Sequence, residues 1–304
     1  MDLRKMGVAA GVIFLLAGCE GNAGLGDNSG PVVQTQQSSE VSVTTSFYPL
    51  YEIAREVGGE NLVVRNLVPA GAEPHDYEPS PKDIAALQSA DLLVVNGLQL
   101  EPWLEKLTPE LQRSGVRVLN QSAQVRGIVA NDPHIWLDPV LYSQEAEFFQ
   151  KAVADIDPSN AEKYLQRAKI FQDKLSQLDQ DFRNGLRDCA MKDFVTNHAA
   201  FGYLAKRYGL NMISVAGFSP ESEPSPKVLV DLTDLLREKQ IKYVLVETLV
   251  SSKVGETLAN EVGAQTLVVN PLEGLTDGEI AEGKNYFSVM RENLRNLQIA
   301  MNCR

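Results

Sequence analysis

Histidine is almost absent from this chain: His75, His134 and His198 are the only three among 304 residues. Cysteine is as rare, with Cys19, Cys189 and Cys303. Cys303 is the penultimate residue and none of the three lies in a ligand-like cluster, which argues against a thiolate metal centre. No His-Glu-x-x-His pattern occurs, so the helical motif of many zinc hydrolases is missing. Basic residues are also in deficit, 28 against 40 acidic, for a formal charge of −12. That balance argues against nucleic acid as a partner and favours a raised cation concentration near any acidic cleft. Long apolar runs are lacking as well. The longest, residues 6–17, falls short of the roughly 20 residues a membrane-spanning helix needs.

What is present at the N-terminus is a targeting pattern. Arg4 and Lys5 precede the short apolar stretch, which ends in Leu16-Ala17-Gly18-Cys19. A basic start, a short apolar core and a small-residue exit mark a cleaved signal, here residues 1–18. The ending resembles a bacterial lipobox, which implies cleavage before Cys19 and a lipid thioether on its sulfur. Residues 19–39 are rich in Gly, Asn, Ser and Gln and read as a flexible tether. Loss of Arg4, Lys5 and Asp2 with the signal leaves 26 basic against 39 acidic residues, or −13. The expected location is the bacterial envelope, lipid-anchored outside the cytoplasmic membrane. Disulfides persist there, so the two remaining cysteines are expected to form one bridge, Cys189–Cys303.

About 265 residues remain, at 44% hydrophobic and 22% charged over the whole chain, enough for two modest domains with cores of their own. Strand signals at 41–46, 62–68, 91–96 and 116–119 alternate with helical ones near 50–57 and 81–90. Such alternation predicts an α/β fold with a mainly parallel sheet flanked by helices. Residues 158–188 break the pattern. Apolar side chains at Tyr164, Ala168, Phe171, Leu175, Leu178, Phe182 and Leu186 make one helical stripe, about 45 Å long at 1.5 Å per residue. The alternation then resumes, with strands at 194–197, 212–215, 243–247 and 266–270 and helices near 200–209, 226–239, 252–262 and 285–302. The expected architecture is two α/β lobes, 40–157 and 189–304, joined by one long rigid helix over 158–188. The rival use of that stripe is a coiled-coil dimer; the chain is expected to be a monomer. Ligands of open α/β sheets sit outside the carboxyl ends of the strands. Each histidine follows a predicted strand or its loop, two in the first lobe and one in the second, so an interlobe cleft can gather them.

A neutral imidazole is a favoured zinc ligand, and three of them need a fourth donor to close a tetrahedron. Glu273, after the strand at 266–270, is the best candidate and Asp277 the runner-up. Asp76, Glu78, Asp138 and Glu247 suit supporting or capping roles. For each histidine taken alone, the competing assignment is an ordinary surface or hydrogen-bonded structural residue.

Six segments carry a family resemblance: Ser-Phe-Tyr-Pro-Leu (46–50), the Pro-rich run around His75 (69–81), Pro-His-Ile-Trp-Leu-Asp-Pro (133–139), Asn-His-Ala-Ala-Phe-Gly-Tyr-Leu (197–204), Ser-Pro-Glu-Ser-Glu-Pro-Ser-Pro (219–226) and Asn-Pro-Leu-Glu-Gly-Leu (270–275). In that order they resemble the metal-binding lipoproteins of bacterial zinc and manganese ABC importers, the cluster A-I solute-binding family, from about Val41 to the end. The resemblance implies a two-lobed, helix-spanned fold, capture of a metal ion and its delivery to a membrane permease. It places the metal histidines at His75, His134 and His198 and the carboxylate ligand at Glu273. In manganese-type relatives the position of His198 is typically a glutamate. Three nitrogens and one carboxylate suit Zn²⁺, with Mn²⁺ the alternative. Many zinc members carry a His-rich loop between the first two ligands; residues 82–131 contain no histidine, so that auxiliary loop is missing from this stretch. A zinc hydrolase, with Glu273 as general base, is the reading from a different class. A second role as an adhesin shares the same anchor and fold.

Overall fold

The computed structural model describes residues 40–129, 131–220, 222 and 224–304. The expected signal peptide, Cys19 and the tether lie outside them. In chain order the elements are β1 (Val41–Thr45), α1 (Tyr48–Gly58), β2 (Leu62–Asn66), α2 (Pro81–Leu87), β3 (Leu92–Val95), α3 (Leu104–Arg113), β4 (Arg117–Asn120), α4 (Pro139–Ile156) and α5 (Ala161–Leu186). They continue with β5 (Asp193–Thr196), α6 (Gly202–Tyr208), β6 (Asn211–Ser214), α7 (Pro226–Glu238), β7 (Tyr243–Val246), α8 (Lys253–Val262), β8 (Gln265–Val268), α9 (Asp277–Ala281) and α10 (Tyr286–Ala300).

Two parallel sheets result, in the orders β2-β1-β3-β4 and β6-β5-β7-β8. The second sheet repeats the topology of the first, and each changes winding direction between its two central strands. β3 is Leu-Leu-Val-Val and buried throughout, as a strand covered by helices on both faces must be. The parallel arrangement sends every strand's carboxyl end to the same edge of its sheet, and that edge carries the loops of interest.

α5 holds the two sheets together. Its seven-residue apolar stripe from Tyr164 to Leu186 is buried along its whole length. At 26 residues the helix is about 39 Å long. It packs on α1 and α4 from the first lobe and on α6 and α10 from the second. Phe171 meets Tyr142 of α4 and Phe287 of α10 with ring centroids 5.7 and 5.4 Å apart, and Phe182 stacks on Tyr208 of α6 at 5.2 Å. One continuous core therefore runs through both lobes, with two smaller clusters under the outer faces of the sheets. Truncating Leu178 to alanine would open that core at its middle and cost about 2–5 kcal/mol.

The structure differs from expectation around the helical stripe. Pro158–Asn160 forms a single tight turn, and the helix proper begins at Ala161. Before that turn lies α4, 18 residues long and not anticipated from the sequence. Asp138 caps it by accepting from the backbone N–H groups of Val140 and Leu141, with Pro139 in its first turn. The long connecting helix is thus present as expected, and it is also the second arm of a helical hairpin, α4 packed on α5. Cys189 and Cys303 are joined by a disulfide that closes 114 residues. It lies before β5, at the end of the second sheet opposite the ligand loops.

Candidate metal centre

All four expected ligand residues arrive at one point from four loops at the carboxyl ends of strands. His75 lies in the loop after β2 and His134 in the loop after β4. His198 stands two residues beyond β5 and Glu273 five beyond β8. One ligand atom from each lies within 4.8 Å of the others. His134, His198 and Glu273 are buried, and the His75 side chain keeps 8% of its surface exposed. Asp277 is the first residue of α9 and stands outside the group.

The four residues form a group that could hold a metal ion. Glu273 Oε1 stands 3.2 Å from His75 Nε2, 3.1 Å from His134 Nε2 and 3.2 Å from His198 Nε2, and the latter two nitrogens are 3.3 Å apart. Four of the six edges of the cluster thus have the length found in a tetrahedron whose centre is about 2.0 Å from its corners, the zinc–nitrogen and zinc–carboxylate distance, and all four atoms lie within 4.8 Å of one another.

The other ring nitrogens define which atoms face inward. His134 Nδ1 lies 2.8 Å from Asp132 Oδ1, and His198 Nδ1 lies 2.6 Å from Glu247 Oε2. A carboxylate only accepts, so each Nδ1 carries a proton and each Nε2 is the atom that faces inward, a lone pair there being free to bind an ion once any proton on it is displaced. With neutral imidazoles, Nε2 would face Nε2 and a carboxylate oxygen at little more than 3 Å, acceptor against acceptor. Only a cation or extra protons can relieve that arrangement.

The electrostatics show the same demand. Burial pushes Glu273 up, but the charge of His198 and hydrogen bonds from His134, His198 and His75 outweigh it and hold the carboxyl well below its usual range. Burial lowers His198, yet Glu273 and Glu247 prevail and push it up to about 10. His134 is raised against its burial by Asp132 and Glu273.

Two supporting carboxylates were not read from the sequence. Asp132 and Glu73 each stand two residues before a histidine with a proline between, Asp132-Pro133-His134 and Glu73-Pro74-His75. In both, the histidine N–H donates to the acid, at 3.1 Å to Asp132 Oδ1 and 3.2 Å to Glu73 Oε1. This repeated acid-Pro-His pattern was the available signal. Glu73 Oε2 is buried without a partner among the described residues, and burial together with the charge of Glu273 pushes Glu73 up to about 9. Of the four residues expected to play supporting parts, Glu247 orients His198, also accepting its backbone N–H at 3.1 Å. Asp138 caps α4 and pairs with Arg207. Asp76 and Glu78 make no hydrogen bond to the cluster among the described residues.

The Glu273 loop is braced by its own backbone chemistry. Leu272 adopts φ 61°, a left-handed conformation unfavourable for a branched side chain. Its N–H donates to Asn270 Oδ1 at 2.7 Å, and buried Asn293 accepts the Asn270 N–H at 2.8 Å and donates to the Asn270 carbonyl at 2.7 Å.

A two-lobed α/β chain with a closed His₃-carboxylate cleft is a binding protein for a transition-metal ion. Comparison with known proteins gives the particular kind. The family model described as ZnuA, zinc-uptake complex component A, periplasmic, matches residues 43–300, and the chain belongs to that family. It is 35% identical to the high-affinity zinc uptake system protein ZnuA of Bacillus subtilis, over 94% of each chain. It is 35% identical to the zinc-binding lipoprotein AdcA of Streptococcus pneumoniae, covering 87% of this chain but only 56% of that longer protein. Among solved structures, the Zn(II)-bound ZnuA-like domain of S. pneumoniae AdcA superposes with a TM-score of 0.78 at 36% identity, covering 87% of this chain and all of that one. The laminin-binding protein Lmb of Streptococcus agalactiae, described as bifunctional with adhesin and metal-transporting activity, gives 0.79 at 36% identity over 86% of this chain and 99% of its own.

Proposed function

We propose that this protein captures Zn²⁺ outside the cytoplasmic membrane and delivers it to an ABC-transporter permease. His75, His134, His198 and Glu273 are the ligands of that transported ion. The observation carrying the reading is the convergence of three imidazole nitrogens and one carboxylate oxygen within 4.8 Å of one another, with Glu273 Oε1 3.1–3.2 Å from each nitrogen. Three imidazoles favour Zn²⁺ over Mn²⁺, whose harder character prefers more oxygen.

Capture and release require no bond to be made or broken in a substrate, so the chain needs neither nucleophile nor general base. The hydrolase alternative requires three protein ligands, an open water position and a free base. Here the carboxylate that would serve as base stands in the shell itself, touching all three imidazoles. We further assign residues 1–18 as a cleaved signal, Cys19 as a lipid anchor, 40–157 and 189–304 as the two lobes with 158–188 between them, and the monomer as the working unit. Among the described residues no helix is long and apolar enough to cross a membrane.

The test is metal analysis of the purified mature chain with competitive titration of Zn²⁺ against Mn²⁺. One tightly held zinc, displaced poorly by manganese and lost in His198→Ala, is expected. A manganese preference would overturn the specificity. Glu273→Ala separates binding from hydrolysis: a ligand loses zinc affinity, whereas a base leaves metal bound and removes turnover.

A further inference from the structure

Trp136 follows His134 by two residues, in the single turn Ile135–Leu137. Its indole is fully buried, edge-on to Phe47 at 4.7 Å between ring centroids and 5.3 Å from the His134 ring. Nε1 donates to the carbonyl of Pro271 at 2.7 Å. Pro271 is two residues before Glu273, and the residue between them is the left-handed Leu272. The Trp136 carbonyl in turn accepts from the Tyr286 hydroxyl, at the start of α10, at 2.7 Å.

We infer that Trp136 is a positioning residue for zinc, coupling His134 of the first lobe to Glu273 of the second through its indole N–H. The inference rests on the reading of the site as a zinc centre. Its physical basis is a closed ring. From His134 the chain runs two residues to Trp136, crosses the lobe boundary by the indole bond, and runs two residues from Pro271 to Glu273. The 3.1 Å contact between His134 Nε2 and Glu273 Oε1 closes that ring on the other side. Either closure holds the ends for the other, so the bond to Pro271 sets the separation at which the ion is gripped. Other bonds cross the lobes beside the site, among them Gly71 N–H to the Leu275 carbonyl at 3.0 Å, the Tyr203 hydroxyl to the Asp132 carbonyl at 3.0 Å and the Val129 N–H to the Tyr203 hydroxyl at 2.9 Å. Trp136 is the side chain that joins the His134 segment to the Glu273 segment.

Trp136→Phe keeps an apolar ring on Phe47 and removes the donor. A hydrogen bond of ordinary net strength corresponds to roughly three- to tenfold in an equilibrium. Zinc dissociation into excess chelator should therefore accelerate by about that factor, with little change in the association rate. The visible spectrum of the Co²⁺-loaded protein, which reports the tetrahedral field directly, should shift in band position and intensity. A lowered melting temperature of the metal-free chain, with zinc off-rate and cobalt spectrum both unchanged, would overturn the inference. If Trp136→Phe fails to fold, site-specific benzothienylalanine at 136, which exchanges only the N–H for sulfur, gives the same two readouts. A native chain that binds no zinc overturns the reading of the site. A native chain that binds zinc while the variants match it overturns the role of Trp136 alone.

Discussion

Glu247 touches no metal in this account, yet its removal should weaken zinc binding by more than an order of magnitude. Its Oε2 lies 2.6 Å from His198 Nδ1; across the ring and a zinc–nitrogen bond of ~2.0 Å the carboxylate is about 6.5 Å from the ion. At an effective dielectric near 20, a unit charge there stabilises a divalent cation by about 5 kcal/mol. Most of that is offset, because in the metal-free chain the same carboxylate stabilises the proton that zinc must displace from His198. That proton carries half the charge at a somewhat shorter distance, worth about 3 kcal/mol on the same footing. The remainder, about 2 kcal/mol, is roughly thirtyfold in affinity, within the 10- to 100-fold range for partners of metal-bound histidines. Glu247→Gln keeps an acceptor but not the charge and should give this loss; Glu247→Ala, which also frees the imidazole to turn, should lose at least as much. Competitive titration against a chelator of known affinity measures both. Wild-type affinity in Glu247→Ala would refute the claim that the second lobe grips zinc through a carboxylate-oriented His198.

Zinc affinity should rise with pH through the neutral range. His198 is raised from 6.5 to about 10 in the metal-free chain, so its stabilisation of the empty protein is fully present below pH 6.5 and is lost as pH climbs through 10. Zinc competes with that same proton, and calorimetry at pH 7 in buffers of different ionisation enthalpy should detect proton release; binding without it would contradict the electrostatic picture. Cys303→Ser should lower stability by about 2–5 kcal/mol, the usual cost of losing a native disulfide, with zinc affinity retained because the bridge lies at the far end of the sheet from the ligands. A denaturant titration and a zinc titration together check both halves. Asn293→Ala removes the two bonds that hold the Asn270 backbone and leaves buried backbone groups unpaired, costing about 1–3 kcal/mol. Its zinc affinity should fall as well, and an unchanged affinity would show that the Glu273 loop holds itself.

The strands and the ligand loops were legible because parallel strands covered on both faces leave uninterrupted apolar runs, as at 92–95, with polar loops after them. The convergence of His75, His134, His198 and Glu273 was legible for a related reason: chemistry-bearing residues at strand ends sit in short turn-rich motifs. α4 escaped notice because it opens with Pro139-Val-Leu-Tyr and its apolar positions form a broader, less regular face than the stripe of α5. The long helix expected over 158–188 is present as α5, and only the arm packed against it went unread. Asp132 was hidden in plain view, two residues from His134, because only the folded loop turns its carboxylate back onto both the N–H and the ring. Glu247 pairs with a histidine 49 residues away, a relation set by strands β5 and β7 lying side by side. Trp136 and Pro271 are 135 residues apart, and no local pattern marks them as partners.

The most direct measurement is X-ray absorption at the zinc edge of the fully loaded mature chain. Four nitrogen and oxygen neighbours at about 2.0 Å are expected, with outer-shell scattering from three imidazoles and no sulfur. A first shell containing sulfur, fewer than three imidazoles, or an expanded oxygen-rich shell would contradict it.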